Sequence, residues 1–134
     1  MTYLLDTHVF LWLLAAPERI RPDLLERVRA GDTMLLLSSA SSWEIAIKWA
    51  VGRLSLPRPP VDYVPSRMQR LGVVGLAVSH AHALRTSTLP PHHRDPFDRL
   101  LVAQAQADDL IIVTADRAFD AYDVQTIDAA AAGI

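Results

Sequence analysis

The chain of 134 residues has no cysteine, a single lysine and no long apolar run. Without cysteine there is no disulfide scaffold, no zinc–thiolate site and no thiol nucleophile. The longest apolar stretch, Val9 to Ala16, falls well short of the about 20 residues that span a bilayer. It also starts early, with no basic segment before it, and does not read as a secretory signal. Charged residues make up 21% of the chain and hydrophobic residues 51%. At this length that balance suffices for one core burying roughly 68% of the unfolded surface, with no staple needed. The expectation is a soluble, cytoplasmic chain folded as one domain over residues 1–134, with no membrane partner.

The charge that is present is unevenly spread. A net charge of −2 argues mildly against a polyanionic partner. Residues 1–94, however, carry eleven basic and seven acidic side chains, a balance of +4, and residues 95–134 carry two basic and eight acidic, a balance of −6. Twelve of the thirteen basic residues are arginine, the exception being Lys48. Arginine suits bidentate pairing with phosphate, although a high arginine content also reflects genome composition.

Short apolar runs alternate with helical patterns. Strands are expected at Tyr3–Leu5, Met34–Leu37, Val73–Ala77, Leu110–Val113 and Val124–Ile127. Helices are expected over Thr7–Ala15, Asp23–Ala30, Ser41–Val51, Asp62–Leu71 and Ser79–Arg85, and from Asp95-Pro96 to about Ala107. Leu89–Arg94, with two prolines and two histidines, reads as a loop, and the final Ala-rich residues as a frayed end. This alternation implies βαβ units: a three-layer α/β/α sandwich around a mostly parallel sheet, the strands covered on both faces. Such folds place their sites outside the carboxyl ends of the strands.

Four acids fall at that edge. Asp6 ends the first strand, and Asp116 follows the strand Leu110–Val113. Glu44 is expected in the first turn of the helix opened by Ser41, and Asp98 in the first turn after Pro96. Each also has a purely structural reading. Ser41-x-x-Glu44 matches a capping box, and Glu44 can pair with Lys48 one turn on. Asp95 before Pro96 is a natural N-cap, which leaves Asp98 at a position favoured by the helix dipole. Asp116 can start a turn. Yet Asp98 continues as an apolar stripe through Val102 and Ala105, so it faces packed protein. Asp6 has no basic residue nearby in sequence.

Magnitudes separate these readings. Like charges about 4 Å apart repel by about 1 kcal/mol in water and about 4 kcal/mol at an effective dielectric of about 20. Four converging acids raise one another's pKa values, and Lys48 alone cannot offset them. A hard divalent cation can, and an oxygen-only donor set favours Mg²⁺ or Mn²⁺ over zinc.

The residues that carry these acids resemble the PIN domain, and within it the VapC-type toxin ribonucleases of bacterial toxin–antitoxin pairs. The matching segments are Leu4-Leu5-Asp6-Thr7-His8-Val9-Phe10-Leu11-Trp12, Ser41-Ser42-Trp43-Glu44-Ile45-Ala46-Ile47-Lys48, His92 to Ala105 around Asp95-Pro96-Phe97-Asp98, and Val113-Thr114-Ala115-Asp116-Arg117-Ala118-Phe119. The resemblance covers nearly the whole chain. It places the family's acids on Asp6, Glu44, Asp98 and Asp116 and a polar helper on Thr114, with Asp95 as a further acid of the motif. It implies an Mg²⁺- or Mn²⁺-dependent hydrolysis of RNA by in-line attack of water, leaving a 5′-phosphate and a 3′-hydroxyl. It also implies an inhibitory antitoxin partner.

Arg53, Arg58, Arg67, Arg70, Arg85 and Arg94 are candidates for phosphate contacts, Arg53 and Arg94 foremost. His93 beside His92 is either a loop hydrogen-bonding group or a helper at the site. Trp12, Trp43 and Trp49 read as core or partner interface. The apolar helix after Thr7 reads as a buried helix, an antitoxin groove or a homodimer contact. Two rivals stand against the nuclease. A phosphorylation-switched receiver needs two adjacent acids after the first strand and a lysine near the last, and neither is present. A catalytically inactive PIN-like module binding RNA or a partner has no need of the acids.

Overall fold

The computed structural model describes residues 1–132. The strands are β1 (Thr2–Leu5), β2 (Met34–Ser38), β3 (Val73–Leu76), β4 (Ile111–Thr114) and β5 (Gln125–Asp128). The helices are α1 (Thr7–Ala15), α2 (Pro22–Arg29), α3 (Ser39–Ala50), α4 (Pro60–Leu71), α5 (His80–Arg85) and α6 (Pro96–Asp108). All strand pairs are parallel, in the order β3-β2-β1-β4-β5. β1 is therefore central. The chain runs outward from it one way through β2 and β3, and the other way through β4 and β5. The carboxyl ends of β1 and β4 flank the point where that direction reverses, where open α/β sheets open a crevice for ligands.

The alternation of side chains across the pleat builds both outer layers. Tyr3, Leu5, Leu35, Leu37 and Val113 face one core, shared with Val9 and Phe10 of α1, Leu24 of α2, Ile45 of α3 and Val64 of α4. Leu4, Leu36 and Ile112 face the other, with Leu101, Val102 and Ala105 of α6 and Phe119. The three layers are those expected. β3 departs from double coverage: it is an edge strand, and Val74 is 54% exposed.

Three other expectations are corrected. α3 starts at Ser39, because the Ser38 side chain accepts the Ala40 N–H and caps it. Glu44 therefore lies in the second turn, and the Ser41-x-x-Glu44 capping box does not form. Ser41 is instead buried, and its Oγ accepts the Thr7 hydroxyl at 2.9 Å. Trp43 is 60% exposed and Trp49 is also exposed, so of core and partner interface the core alternative falls for both. The Ala-rich end is tied down: Ala129 is fully buried, Ala130 bridges Ile20, and the Ala131 N–H donates to the Arg19 carbonyl. Residues 133–134 of that end lie outside the described residues. The apolar excess of α1 goes largely inward, where Val9, Phe10 and Leu13 are buried, and Leu11, Trp12 and Leu14 pack partly buried against the same core.

Candidate active site

Asp6 follows β1 directly, and its backbone N–H donates to the Val113 carbonyl of β4, so the acid is fixed at the crevice by the sheet itself. Its side chain is 4% exposed yet caps no helix N–H. Thr114, the last residue of β4, donates its hydroxyl to Asp6 Oδ2 at 2.8 Å. The same hydroxyl accepts the Asp116 N–H at 2.9 Å. One buried threonine thus ties together two of the acids. Burial holds the Asp6 carboxyl above its ordinary value; the Thr114 hydrogen bond opposes this and the charge of Glu44 adds to it.

Glu44 is 3% exposed, and Lys48 Nζ lies 2.7 Å from its Oε2, the helical pair expected one turn apart. Asp98 occupies the first turn of α6, with its side chain 13% exposed. Its carboxyl is pushed up to about 8, first by burial and then by the charges of Asp6, Asp95, Glu44 and Asp116. Asp98 thus feels the field of every other candidate acid, which is the electrostatic signature of their convergence. Asp116 is half-exposed, and its Oδ1 accepts the Ala118 N–H while Oδ2 turns towards His93. A cleft of about 320 Å³ opens beside it, lined by Thr114, Asp116, Arg117, Asp120, Thr126 and Asp128.

Asp95 is committed elsewhere. Its Oδ1 accepts the N–H groups of Phe97 and Asp98, capping α6, so it acts on the site through its charge and by fixing the turn that carries Asp98. Arg53 and Arg94 are exposed, Arg94 on the loop that leads into α6.

His93 comes closer to the acids than the sequence indicates. Its Nε2 lies 2.7 Å from Asp98 Oδ2 and 3.5 Å from Asp116 Oδ2. These three side chains offer ligand atoms within 4.8 Å of one another. The histidine is nevertheless not disposed as a ligand. Its Nδ1 accepts the Asp95 N–H at 3.3 Å, which puts the proton of a neutral ring on Nε2, facing the carboxylates. That nitrogen is buried and makes no in-line hydrogen bond. His93 therefore turns a ring N–H, rather than a free lone pair, towards Asp98 and Asp116.

The PIN-domain family model matches residues 3–125. The chain belongs to the PIN-domain family. It is 46% identical over 88 residues to Ribonuclease VapC16 of Mycobacterium tuberculosis, a stretch covering 57% of this chain and 62% of that one. That match thus spans less than two thirds of the relative's length. It is 30% identical over 117 residues to Ribonuclease VapC22 of the same organism, covering 87% of this chain and 88% of that one. Among solved structures, VapBC2 from Rickettsia felis bound to a DNA fragment from their promoter superposes with a TM-score of 0.72 at 15% identity, over 96% of this chain and 99% of that one. At that identity the likeness is one of fold.

Sequence reasoning missed Arg99 and Tyr122 in this PIN domain. The Arg99 guanidinium donates to the carbonyls of Thr86, Leu89, Pro90 and His93 and to the Tyr122 hydroxyl. That hydroxyl also accepts the His93 N–H at 2.8 Å. One arginine thus clamps the loop that delivers His93. Its partners are mostly backbone carbonyls, which leave no signature in residue type; the only hint was an arginine directly after Asp98.

Proposed function

We propose that the chain is a metal-dependent endoribonuclease, the toxin of a toxin–antitoxin pair, working in the cytoplasm as a homodimer and held inactive by its antitoxin. Asp6, Glu44, Asp98 and Asp116 are its catalytic and metal-holding residues. The observation that carries this reading is the setting of Asp98: an acid in the first turn of α6, 13% exposed at its side chain and pushed up to about 8 by burial and by four other carboxylates, in a group where Lys48 pairs with Glu44. The donors are all oxygen, which fits Mg²⁺ or Mn²⁺. The kinship with proteins named VapC ribonucleases supports RNA as the substrate and an antitoxin as the partner.

A divalent cation held by these carboxylates supplies activation of a water and neutralisation of charge developing on the phosphoryl group. The remaining roles belong to the chain. Thr114 orients Asp6 and, through the Asp116 N–H, the turn that carries Asp116. Lys48 pairs with Glu44 and holds its carboxyl in place. Asp98 carries a proton near neutral pH when no cation is present, and that proton must leave as the site loads. His93 presents Nε2–H to Asp98 Oδ2 at 2.7 Å and orients that carboxyl. Arg94 and Arg53 supply exposed guanidinium groups to the RNA backbone.

The decisive experiment is cleavage of single-stranded RNA with Mn²⁺, with and without EDTA, by the wild type and by Asp6→Asn. The reading requires cleavage with Mn²⁺ only, and none by the variant. Binding of RNA without metal-dependent cleavage would instead establish an inactive binding module.

A further inference from the structure

Two aromatic side chains stand at the site without a part in it. Trp43 immediately precedes Glu44 on α3, and Phe97 immediately precedes Asp98 on α6. Their rings meet edge to face, with centroids 5.3 Å apart and planes at 77°. Trp43 is nevertheless 60% exposed, and Ile47 one turn further along α3 is exposed as well. An edge-to-face contact leaves the broad faces of one ring free while holding its orientation. Burying a tryptophan normally gains much apolar area, so one pinned in the open next to Glu44 in sequence, against the residue that precedes Asp98, is a surface available for a ligand.

We infer that the Trp43–Phe97 pair is a stacking platform for a nucleobase of the RNA substrate, next to the phosphodiester held at the carboxylates. This rests on the ribonuclease reading and adds to it the subsite that takes a base. Three observations favour a base over a protein surface as the occupant. The pair joins the two helices that deliver Glu44 and Asp98, so the platform and the carboxylates are fixed by the same backbone segments. A scissile phosphate has a base one ribose away on each side, so a strand bound at the acids must lay a base close by. Lys48 on the same helix, 41% exposed at its side chain, lies on Glu44 and so offsets the charge of the acid adjacent to Trp43, which lowers the repulsion a polyanion would meet there. Single-stranded RNA is read through unstacked bases laid on aromatic rings, with little demand for base identity. The platform therefore sets position along the strand more than sequence.

The test is steady-state cleavage of a short single-stranded RNA by the wild type, Trp43→Phe and Trp43→Ala, repeated with substrates carrying one abasic nucleotide at successive positions around the cut. Trp43→Ala is expected to raise KM about tenfold with kcat little changed, and Trp43→Phe to recover most of the loss. In the wild type, one abasic position should raise KM by a similar factor, and Trp43→Ala should be blind to that position. Cleavage with the same KM in Trp43→Ala, or an equal abasic penalty in both proteins, would overturn the inference and give this face to a protein contact. A wild type inert towards all single-stranded RNA in Mn²⁺ would overturn the ribonuclease reading and this inference with it. Cleavage that ignores Trp43 overturns this inference alone.

Discussion

The Thr114 hydroxyl donates to Asp6 Oδ2 at 2.8 Å across a sequence separation of 108 residues. The donor is nearly as buried as the acid it serves. Because the same oxygen also receives the Asp116 N–H, its proton has one direction to go: towards Asp6. The geometry of one acid and the turn that holds another are thus set by a single neutral group.

Thr114→Val keeps the shape and removes both hydrogen bonds. It leaves a buried carboxylate and a backbone N–H without partners, which costs about 1–3 kcal/mol each way of counting. The expected outcome is a lower Tm and a divalent-metal affinity weaker by about 10- to 100-fold, the range seen when a ligand loses its orienting partner. Thermal melts across a Mn²⁺ titration measure both.

The metal-free protein should lose stability as pH rises. Asp98 titrates near 3.8 in an ordinary setting and about 8 here, so between those values the native state holds a proton that the unfolded chain has released. Stability is therefore greatest below the lower value, falls through the window and levels off above the upper one. The upward shift of Asp6 acts with the same sign. Melts in EDTA across that range should show the slope, and Asp98→Asn should flatten it.

Asp98→Asn should also abolish cleavage while leaving the metal-free fold as stable as the wild type or more so, because the neutral amide spares the chain the cost of protonating a carboxylate on folding. An unfolded Asp98→Asn would make Asp98 a structural residue. Circular dichroism beside an activity assay separates the outcomes.

Mg²⁺ or Mn²⁺ should raise the wild-type Tm, since the ion binds the folded arrangement and not the unfolded chain. At about a hundred times Kd the gain is about 2.7 kcal/mol. The same titration on Asp6→Asn should show a much smaller shift.

Arg99→Lys retains the charge and loses the planar fork that reaches several carbonyls at once. The loop from Thr86 to His93 should then exchange its amide hydrogens faster, and cleavage should fall because His93 is no longer held at Asp98. Hydrogen exchange resolved along the chain checks the first point independently of activity.

The strands were legible because β1, β2 and β4 are short apolar runs that can only be buried on both faces. Asp6, Glu44 and Asp116 were legible as candidates because each closes or follows such a run, and Asp98 because it falls in the first turn after Asp95-Pro96 on an apolar stripe. The start of α3 was misplaced because four serines in the stretch Ser38 to Ser42 are equally good caps by type, and only packing decides that Ser38 takes the role while Ser41 turns inward to Thr7. His93 was underestimated because its approach to Asp98 depends on a loop shaped by Arg99 and Tyr122, contacts made through backbone groups. For Trp43 the sequence left core and partner interface open, because its apolar neighbours along α3 suit either, and the structure leaves it 60% exposed with its ring against Phe97.

The central place of β1 bears on how the fold comes into being. β1 pairs with β2 from the first third of the chain and with β4 from the last. During synthesis Asp6 and Glu44 can be positioned early, while Thr114 and Asp116 are added near the end. Long-range parallel pairing of this kind is slow, and domains complete it as units. A growing chain therefore carries Asp6, Glu44 and Asp98 before their cluster can close, and the cluster is complete only once the fourth strand has docked.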